Sequence, residues 1–389
     1  MALSGAVRGP RSRRGLARIS RTFLADPAIG RVLGAARVSD AALASPAQTR
    51  IAAAERRRGL VLAGAALAVV ALVLVDLGTG PGSIPLADVV RALIDRDAVE
   101  IRLGVIVWDI RLPVALQAAL LGAMLGIAGA QMQTILDNPL ADPFTLGVSS
   151  AAGVGASVAI VTGMSLIPGA GPFLVSANAF VFAFGAALLV FFFSVVRGAT
   201  SETMILFGIA LMFAFNALLA ILQYRASETQ LVQIVFWMMG SLQRATPERL
   251  LAGVAILAVV GGLMWRRRWA LTAMRFGDDR AASLGVDPRR LRLETLLLIA
   301  LLSATAVSYA GVIGFIGLVG PHIARLAVGE DQRWFAPLSA LCGAALLSAA
   351  SIAAKSISPG VIYPIGIVTA LVGVPVFLSI VAGRRSVAR

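Results

Sequence analysis

Charged residues are scarce in this sequence, and so are cysteine, histidine and lysine. Only 14% of the 389 residues are charged, whereas 58% are hydrophobic. An ordinary soluble domain carries about 25% charged residues. The mean hydropathy is +0.88. This composition excludes an ordinary soluble protein and indicates a chain that lies mostly within a membrane.

Each scarce residue type excludes a kind of chemistry. The single cysteine, Cys342, cannot form an internal disulfide, and the single histidine, His322, excludes a histidine-cluster metal site within one chain. The only lysine, Lys355, follows an alanine, whereas a phosphate-binding loop requires glycine before its lysine. We therefore expect no nucleotide site, no metal, no cofactor and no enzymatic activity in the chain itself.

Titratable side chains are also nearly absent from the interior of the apolar segments. Asp76 lies at the end of one such segment, and Gln131, Gln133 and Asn216 are polar but do not titrate. Proton- and sodium-coupled carriers usually keep carboxylates or histidines within the membrane, because these groups carry the coupling. A transporter of this composition would take its energy from a partner. A passive channel or a secondary carrier is the alternative class.

Long apolar stretches run from residue 59 to the C-terminus. About 20 apolar residues span the hydrocarbon core of a bilayer, and a helix satisfies every backbone polar group on the way. We therefore predict an all-α, polytopic membrane protein with about ten transmembrane helices in a domain over 57–389. The predicted spans are 59–77, 112–134, 146–164, 175–196, 203–223, 248–266, 293–312, 314–328, 335–354 and 363–383.

The arginines between these spans sort to one side of the membrane. With a cytoplasmic N-terminus, the inner loops receive the cluster from Arg266 to Arg292 and the C-terminal arginines, and the outer loops hold far fewer. Basic residues near helix ends favour the cytoplasmic side. The pattern predicts a multi-pass protein of the cytoplasmic (inner) membrane with both termini in the cytoplasm. It also explains the net charge of +14 without nucleic-acid binding.

Residues 1–56 differ in composition from the rest of the chain. They are rich in arginine, alanine and serine, and they contain no apolar core of the kind that a signal peptide needs. We predict a basic, disordered cytoplasmic tail. An amphipathic surface helix around Ile19–Val38 and an overextended start of the reading frame are the alternatives.

The longest predicted inner loop runs from Met274 to Arg292. Asp278 and Asp279 can begin a short helix, because carboxylates are favoured at a helix N-terminus, and Gly285 can end it. A short helix at the membrane face suits contact with a soluble partner protein. An amphipathic connector is the equally favoured alternative.

Two other segments carry a pattern. Glycines recur at every third residue from Gly311 to Gly320, and this spacing favours close helix packing in lipid. The string from Asn138 to Pro143 joins two spans and contains two prolines and an asparagine, which predicts a rigid turn. A gate on the inner side is the functional alternative for this turn.

Three groups of strings occur in order along the chain: Arg111-Leu-Pro with Asn138-Pro-Leu-Ala-Asp-Pro143 and Leu146-Gly-Val-Ser-Ser150; Leu284-Gly-Val286 with Gly314–Arg325; and Pro364–Pro375. Together they resemble the FecCD-type permeases, the membrane subunits of ATP-binding-cassette (ABC) importers for iron complexes, haem and vitamin B12. The likeness covers roughly residues 57–383.

The resemblance implies a type II ABC importer permease, which assembles from two permease chains, two ATPase subunits and an extracytoplasmic substrate-binding protein in the lipid membrane. The second permease chain would be an identical copy or a close paralogue. The implied sites are an ATPase-coupling loop at Arg280, Leu284, Gly285 and Val286; a cytoplasmic gate at Asn138, Leu140, Thr200, Ser201 and Glu202; binding-protein docking at Arg102 and Lys355; and a translocation path past Asn216 and Gln223.

Ordinary structural roles remain open at several of these positions. Thr200, Ser201 and Glu202 could simply cap the helix that they begin, since small polar residues are favoured there. Arg102 and Lys355 could simply lie in solvated outer loops.

The sequence thus predicts a permease that carries an iron(III)–siderophore complex, with haem or vitamin B12 as the alternative cargo. Val114, Ile362 and Tyr363 depart from the pattern of the resembled family, which argues against carrying over the substrate of its vitamin B12 branch. Iron would stay in its carrier molecule, so no metal ligand is expected in this chain.

Overall fold

The computed structural model describes residues 46–198, 200–358 and 360–387, and the regular elements there are helices. They are α1 (Pro46–Gly78), α2 (Leu86–Ile94), α3 (Ile101–Ile135), α4 (Val148–Thr162), α5 (Leu174–Arg197), α6 (Ser201–Arg225), α7 (Glu228–Met238), α8 (Pro247–Arg266), α9 (Arg268–Met274), α10 (Asp278–Ser283), α11 (Pro288–Ala310), α12 (Ile316–Val328), α13 (Gln332–Ser356) and α14 (Ile365–Val387).

Seven of the described helices are long and apolar enough to cross a membrane: α1, α3, α5, α6, α8, α11 and α13. Three shorter apolar helices, α4, α12 and the first part of α14, coincide with the third, eighth and tenth predicted spans. The predicted all-α membrane architecture is therefore confirmed. The new detail is that α3 begins eleven residues before the predicted span and contains a π-helical turn, Ile106–Arg111.

The structure describes only the last part of the N-terminal tail that was predicted over residues 1–56. Residues 1–45, including the alternative surface helix at Ile19–Val38, lie outside the described residues. Residues 46–56 belong to helix α1. Alanine, glutamate and arginine, which dominate 52–58, are strong helix formers, and they extend the helix beyond its apolar segment.

The centre of the transmembrane domain is the antiparallel pair α3 and α13. Gly122 faces the backbone of Gly343, and Gly126 faces the backbone of Ser339, so close that an added Cβ atom would clash at either glycine. Apolar side chains gain nothing by leaving lipid for protein, and small residues therefore drive helix pairing through close backbone contact. The two glycines hold α3 and α13 together along their middle turns.

The glycine series that was noted from the sequence has the predicted packing role at several positions. Gly317 of α12 lies against Gly129 of α3, and Gly320 lies beside Gly343. Gly314, in contrast, has open space where a Cβ atom would lie. Helix α12 is thereby packed into the central pair.

Helix α6 lies at the edge of the domain. Only Met204, Gly208 and Leu219 of its 25 residues are fully buried. Large apolar side chains such as Phe213, 67% exposed, lie on the outside of the described chain. A membrane helix can expose such a surface to lipid or to another helix.

Candidate coupling segment and translocation surfaces

The predicted coupling segment contains a short helix, α10, that begins at Asp278 as the sequence indicated. Its C-terminus is closed by two backbone hydrogen bonds, from Gly285 N–H to the carbonyl of Ala282 (2.9 Å) and from Val286 N–H to the carbonyl of Ala281 (3.1 Å). This pair of bonds is a Schellman motif, and it requires a left-handed residue after the helix. Gly285 has φ +83° and supplies that conformation.

Helix α10 has one buried and one exposed side. Ala281 is fully buried, whereas Leu284 is 66% exposed and Arg280 is also exposed. Val286 is half-buried and packs against the main hydrophobic core. The four residues predicted for the coupling loop thus divide into two that face outward, a glycine that ends the helix, and a valine that fastens the loop to the core.

Arg292 in the first turns of α11 anchors α10 to the transmembrane helices. Its Nη2 atom donates to both carboxylate oxygens of Asp278, at 2.9 and 3.2 Å, and its Nε atom donates to the carbonyl oxygen of Ile135, at 2.7 Å. The arginine side chain is only 5% exposed. One buried guanidinium therefore joins the start of α10 to the end of α3. Sequence reasoning had counted Arg292 only as one of the inner-loop arginines.

The Asn138–Pro143 segment forms the predicted turn. The side-chain Oδ1 atom of Asn138 accepts a hydrogen bond from Leu140 N–H (2.9 Å), and Oδ1 of Asp142 accepts one from Phe144 N–H (2.8 Å). Leu140 itself is exposed. Burial raises the pKa of Asp142 to about 6, although the bond from Phe144 opposes the rise.

The second part of the predicted gate begins helix α6. Thr200 Oγ1 accepts a hydrogen bond from Thr203 N–H (3.2 Å), so the capping role is observed at this position. Ser201 is half-buried and Glu202 is exposed. The short 3₁₀ turn after Asp142 packs against α6, because Leu146 touches Gly208. Both predicted gate segments therefore belong to one packed unit.

The two polar residues assigned to the translocation path lie on α6. Asn216 is exposed, and Gln223 is half-buried near the other end of the helix. Exposed apolar residues such as Phe213 surround them on the same helix. The helix therefore presents a surface that is mainly apolar with isolated polar groups.

The two basic residues predicted for docking have different environments. Arg102 is exposed in the first turn of α3, as predicted. Lys355 does not lie in a solvated loop: it belongs to the last turn of α13, its side chain is 6% exposed, and its Nζ atom lies 2.9 Å from Oδ1 of Asp76. Asp76, on α1, is completely buried and also accepts a hydrogen bond from Ser351 (3.1 Å). The assignment of Lys355 as a surface residue is therefore wrong, because its charge is needed to compensate a buried carboxylate.

Arg111 has a structural role that sequence reasoning had not assigned. The residue is 7% exposed, and its guanidinium donates to the carbonyl oxygens of Leu77 (2.9 Å), Pro81 (3.1 Å) and Gly82 (2.6 Å). These acceptors lie at the end of α1 and in the loop that follows it. The arginine of the Arg-Leu-Pro string therefore fastens the end of α1 to α3.

Proteins of known role resemble this chain over most of its length. HmuU, the hemin transport system permease protein of Yersinia pestis, is 36% identical over 282 residues, which cover 72% of this chain and 84% of HmuU. The vitamin B12 import system permease protein BtuC of Vibrio cholerae is 37% identical over 279 residues, which cover 70% of this chain and 81% of BtuC.

A solved structure is similar as well. It is described as an inward-facing conformation of a metal-chelate type ABC transporter. The match has a TM-score of 0.71 and 31% sequence identity, and it covers 84% of this chain and 99% of that one.

Fold and relatives together define the class: the chain is the membrane-spanning permease of an ABC importer, a kind of subunit that works with an ATPase and a binding protein. It belongs to the FecCD transport family, whose sequence pattern matches residues 61–383. The family expected from the sequence strings is thereby confirmed.

Proposed function

We propose that this permease carries an iron(III)–siderophore complex across the inner membrane, with both of its termini in the cytoplasm. The observation that supports this cargo is the structural match to a metal-chelate type ABC transporter over 99% of that chain. The positive-inside distribution of arginines supports the orientation.

The surface of α6 suits such a cargo. An iron chelate is large and must pass without being held tightly, and α6 offers exposed apolar side chains with Asn216 as an isolated polar contact. A dedicated high-affinity site would instead need several converging polar groups. In this proposal the binding protein selects the cargo, and the permease provides a weakly polar wall.

A second copy of the chain completes the path in this proposal. The exposed apolar surface of α6 is large enough to pack against another helix, and two identical copies would pair through the same surface. Ser201 and Glu202 would then meet their counterparts near the two-fold axis and, together with Asn138 and Leu140, form the cytoplasmic gate.

The ATPase would act through α10. Its exposed residues Arg280 and Leu284 would contact the ATPase, and Arg292 would pass a displacement of α10 to the end of α3. This role is supported by the combination of an exposed surface with a buried anchor, because a merely solvated connector needs no such anchor.

The experiment that tests the cargo is uptake into proteoliposomes that contain the permease, its ATPase and its binding protein. Iron-55 bound to a hydroxamate or catecholate siderophore should enter only with ATP. Haem and cyanocobalamin are the parallel substrates, because HmuU and BtuC are named for them. Uptake of haem or cyanocobalamin without uptake of any ferric siderophore would refute the siderophore assignment and leave the ABC importer class intact.

A further inference from the structure

A basic cluster lies at the same end of the domain as the coupling helix. Residues 266–294 contain eight arginines and four acidic residues. The excess of positive charge is located where α8 ends, where α9 follows it, and where α11 begins. A concentration of this kind at one end of a membrane domain attracts anionic partners.

A groove of about 530 Å³ lies within this cluster. Its walls are the last turn of α8, the helix α9 and the second and third turns of α11. The lining residues are Leu263, Met264, Arg266, Arg267, Leu271, Glu294, Thr295, Leu297 and Leu298. The groove therefore combines an apolar wall with two guanidinium groups.

The positive charge in this groove is not balanced. Glu294 is shared by two arginines, because its Oε2 atom lies 2.8 Å from Arg267 Nη2 and its Oε1 atom lies 2.8 Å from Arg290 Nε. Within the described part of the chain, the exposed side chain of Arg266 has no hydrogen-bond or ion-pair partner. Two arginines thus face one carboxylate in the groove, that carboxylate is shared with Arg290 outside it, and Arg266 remains available to an anion from outside the chain.

Two tryptophans next to the groove indicate that it lies at the boundary between the hydrocarbon and the headgroups of the membrane. Trp265 and Trp269 are 46% and 58% exposed. The guanidinium of Arg268 lies over both rings, at 4.7 and 5.8 Å from their centroids. Tryptophan is enriched at the level of lipid headgroups, where its ring is half in hydrocarbon and half in water. The groove therefore opens at the depth where a phosphate headgroup lies.

We propose that this groove binds an anionic phospholipid. Its phosphate would pair with Arg266 and Arg267, and an acyl chain would lie along Leu263, Leu297 and Leu298. A free phosphate ion would use only the arginines and leave the apolar wall without a partner. A zwitterionic lipid would bring its own cation into a site that already has an excess of them. An anionic lipid satisfies both parts of the groove.

The test measures quenching of Trp265 and Trp269 fluorescence by brominated lipids. The full-length permease is placed in phosphatidylcholine vesicles that contain a minor fraction of brominated phosphatidylglycerol or of brominated phosphatidylcholine. The double variant Trp265→Phe/Trp269→Phe gives the background from the other tryptophans. The wild-type protein should bind the brominated phosphatidylglycerol several-fold more strongly than the brominated phosphatidylcholine.

Three substitutions make the test specific. Arg266→Gln replaces a guanidinium that has no partner within the described part of the chain, so we expect the fold to be kept, and the preference for phosphatidylglycerol should fall about fivefold. Glu294→Gln frees Arg267 and Arg290 and should raise the preference. Arg225→Gln is the matched control, because Arg225 is an exposed arginine in the last turn of α6 and does not line the groove. This substitution should leave the lipid preference unchanged.

Equal quenching by the two brominated lipids in the wild-type protein would overturn the proposal. An unchanged preference in Arg266→Gln would overturn it too. Loss of the preference when the ATPase subunits are bound would assign the arginines to the ATPase interface instead of to lipid.

Discussion

Replacement of Lys355 by methionine tests the meaning of the buried ion pair with Asp76. Methionine keeps most of the volume of the lysine side chain but removes its charge. Asp76 is completely buried, and Lys355 Nζ lies 2.9 Å from one of its carboxylate oxygens. After the substitution, the hydroxyl of Ser351, at 3.1 Å, would remain as the hydrogen-bond partner of the carboxylate among the described residues, and Arg111 would act on it only through its more distant charge.

The cost of this change follows from the burial of the pair. Removal of one partner from a buried ion pair destabilises proteins by about 3–5 kcal/mol, because an uncompensated charge stays behind. The double variant Asp76→Asn/Lys355→Met removes both charges and should recover most of that free energy of unfolding. Ser351→Ala deletes one neutral hydrogen bond and should cost about 1 kcal/mol.

The free energies can be compared through unfolding midpoints in mixed micelles of a mild detergent and sodium dodecyl sulfate, followed by far-ultraviolet circular dichroism. Arg102→Met is the matched control, because Arg102 is an exposed basic residue on a neighbouring helix; surface substitutions usually change stability by less than about 0.5 kcal/mol. If Lys355→Met is as stable as Arg102→Met, or if the double variant is no better than Lys355→Met, the buried pair does not have the role inferred from its geometry.

Further predictions concern the coupling segment, the gate, the turn before α4 and the outer surface. Gly285→Val forces a β-branched side chain to φ +83°, a conformation that costs L-residues about 1–2 kcal/mol, and should leave ATP hydrolysis intact while uptake falls. Ser201→Cys in both chains of the proposed dimer should form an intersubunit disulfide under oxidation in at least one nucleotide state. Asp142→Asn keeps the helix cap, since asparagine caps as well as aspartate, but removes a carboxyl whose pKa is raised from 3.8 to about 6. Because the folded protein binds that proton more tightly, the free energy of unfolding of the wild-type protein should fall relative to the variant as the pH rises from about 4 to about 6, by up to about 3 kcal/mol in total. Arg102→Glu should weaken binding-protein association and reduce its salt dependence, with basal ATPase activity unchanged.

Each of these predictions has a result that would contradict it, and the first also has a control variant. Gly163→Val places the same side chain at a left-handed glycine (φ +68°, ψ +4°) outside the coupling segment, and equal loss of uptake in that variant would show that strain alone is responsible. Absence of a Ser201→Cys disulfide in every nucleotide state would exclude close approach of the two helices there. A parallel pH profile for wild type and Asp142→Asn would show that the carboxyl titrates normally. Unchanged affinity in Arg102→Glu would remove the last residue assigned to docking.

The spans and the coupling helix could be predicted because each depends on local sequence. An apolar run of spanning length is visible without knowledge of its neighbours, and the carboxylates in the first turn of α10 and Gly285 after the helix mark its ends. The same holds for the turn at Asn138, where the hydrogen bond of its side chain reaches only two residues along the chain.

The long-range polar contacts could not be predicted from the sequence, because lipid and not water surrounds these helices. In a soluble protein the apolar side of a helix shows which side is buried, whereas a membrane helix is apolar on its lipid side and on its protein side. Nothing local therefore indicated that Lys355 meets a carboxylate 279 residues away, or that Arg292 reaches the end of α3. Both residues resembled the ordinary basic residues that flank membrane helices.

Helix α3 has a buried arginine contact at its C-terminal end and another at the close of its π-helical turn, and this arrangement has a mechanical consequence. Arg292 holds the carbonyl of Ile135 at the C-terminal end, and Arg111 holds the loop after α1. The part of the helix between these contacts, from Arg111 to Ile135, has 25 residues and is therefore about 36 Å long. Its middle turns cannot bend toward α13, because Gly122 and Gly126 already touch the backbone of that helix. In the proposed coupling role, a displacement of α10 would therefore be passed along α3 and would reach the loop after α1 that Arg111 holds.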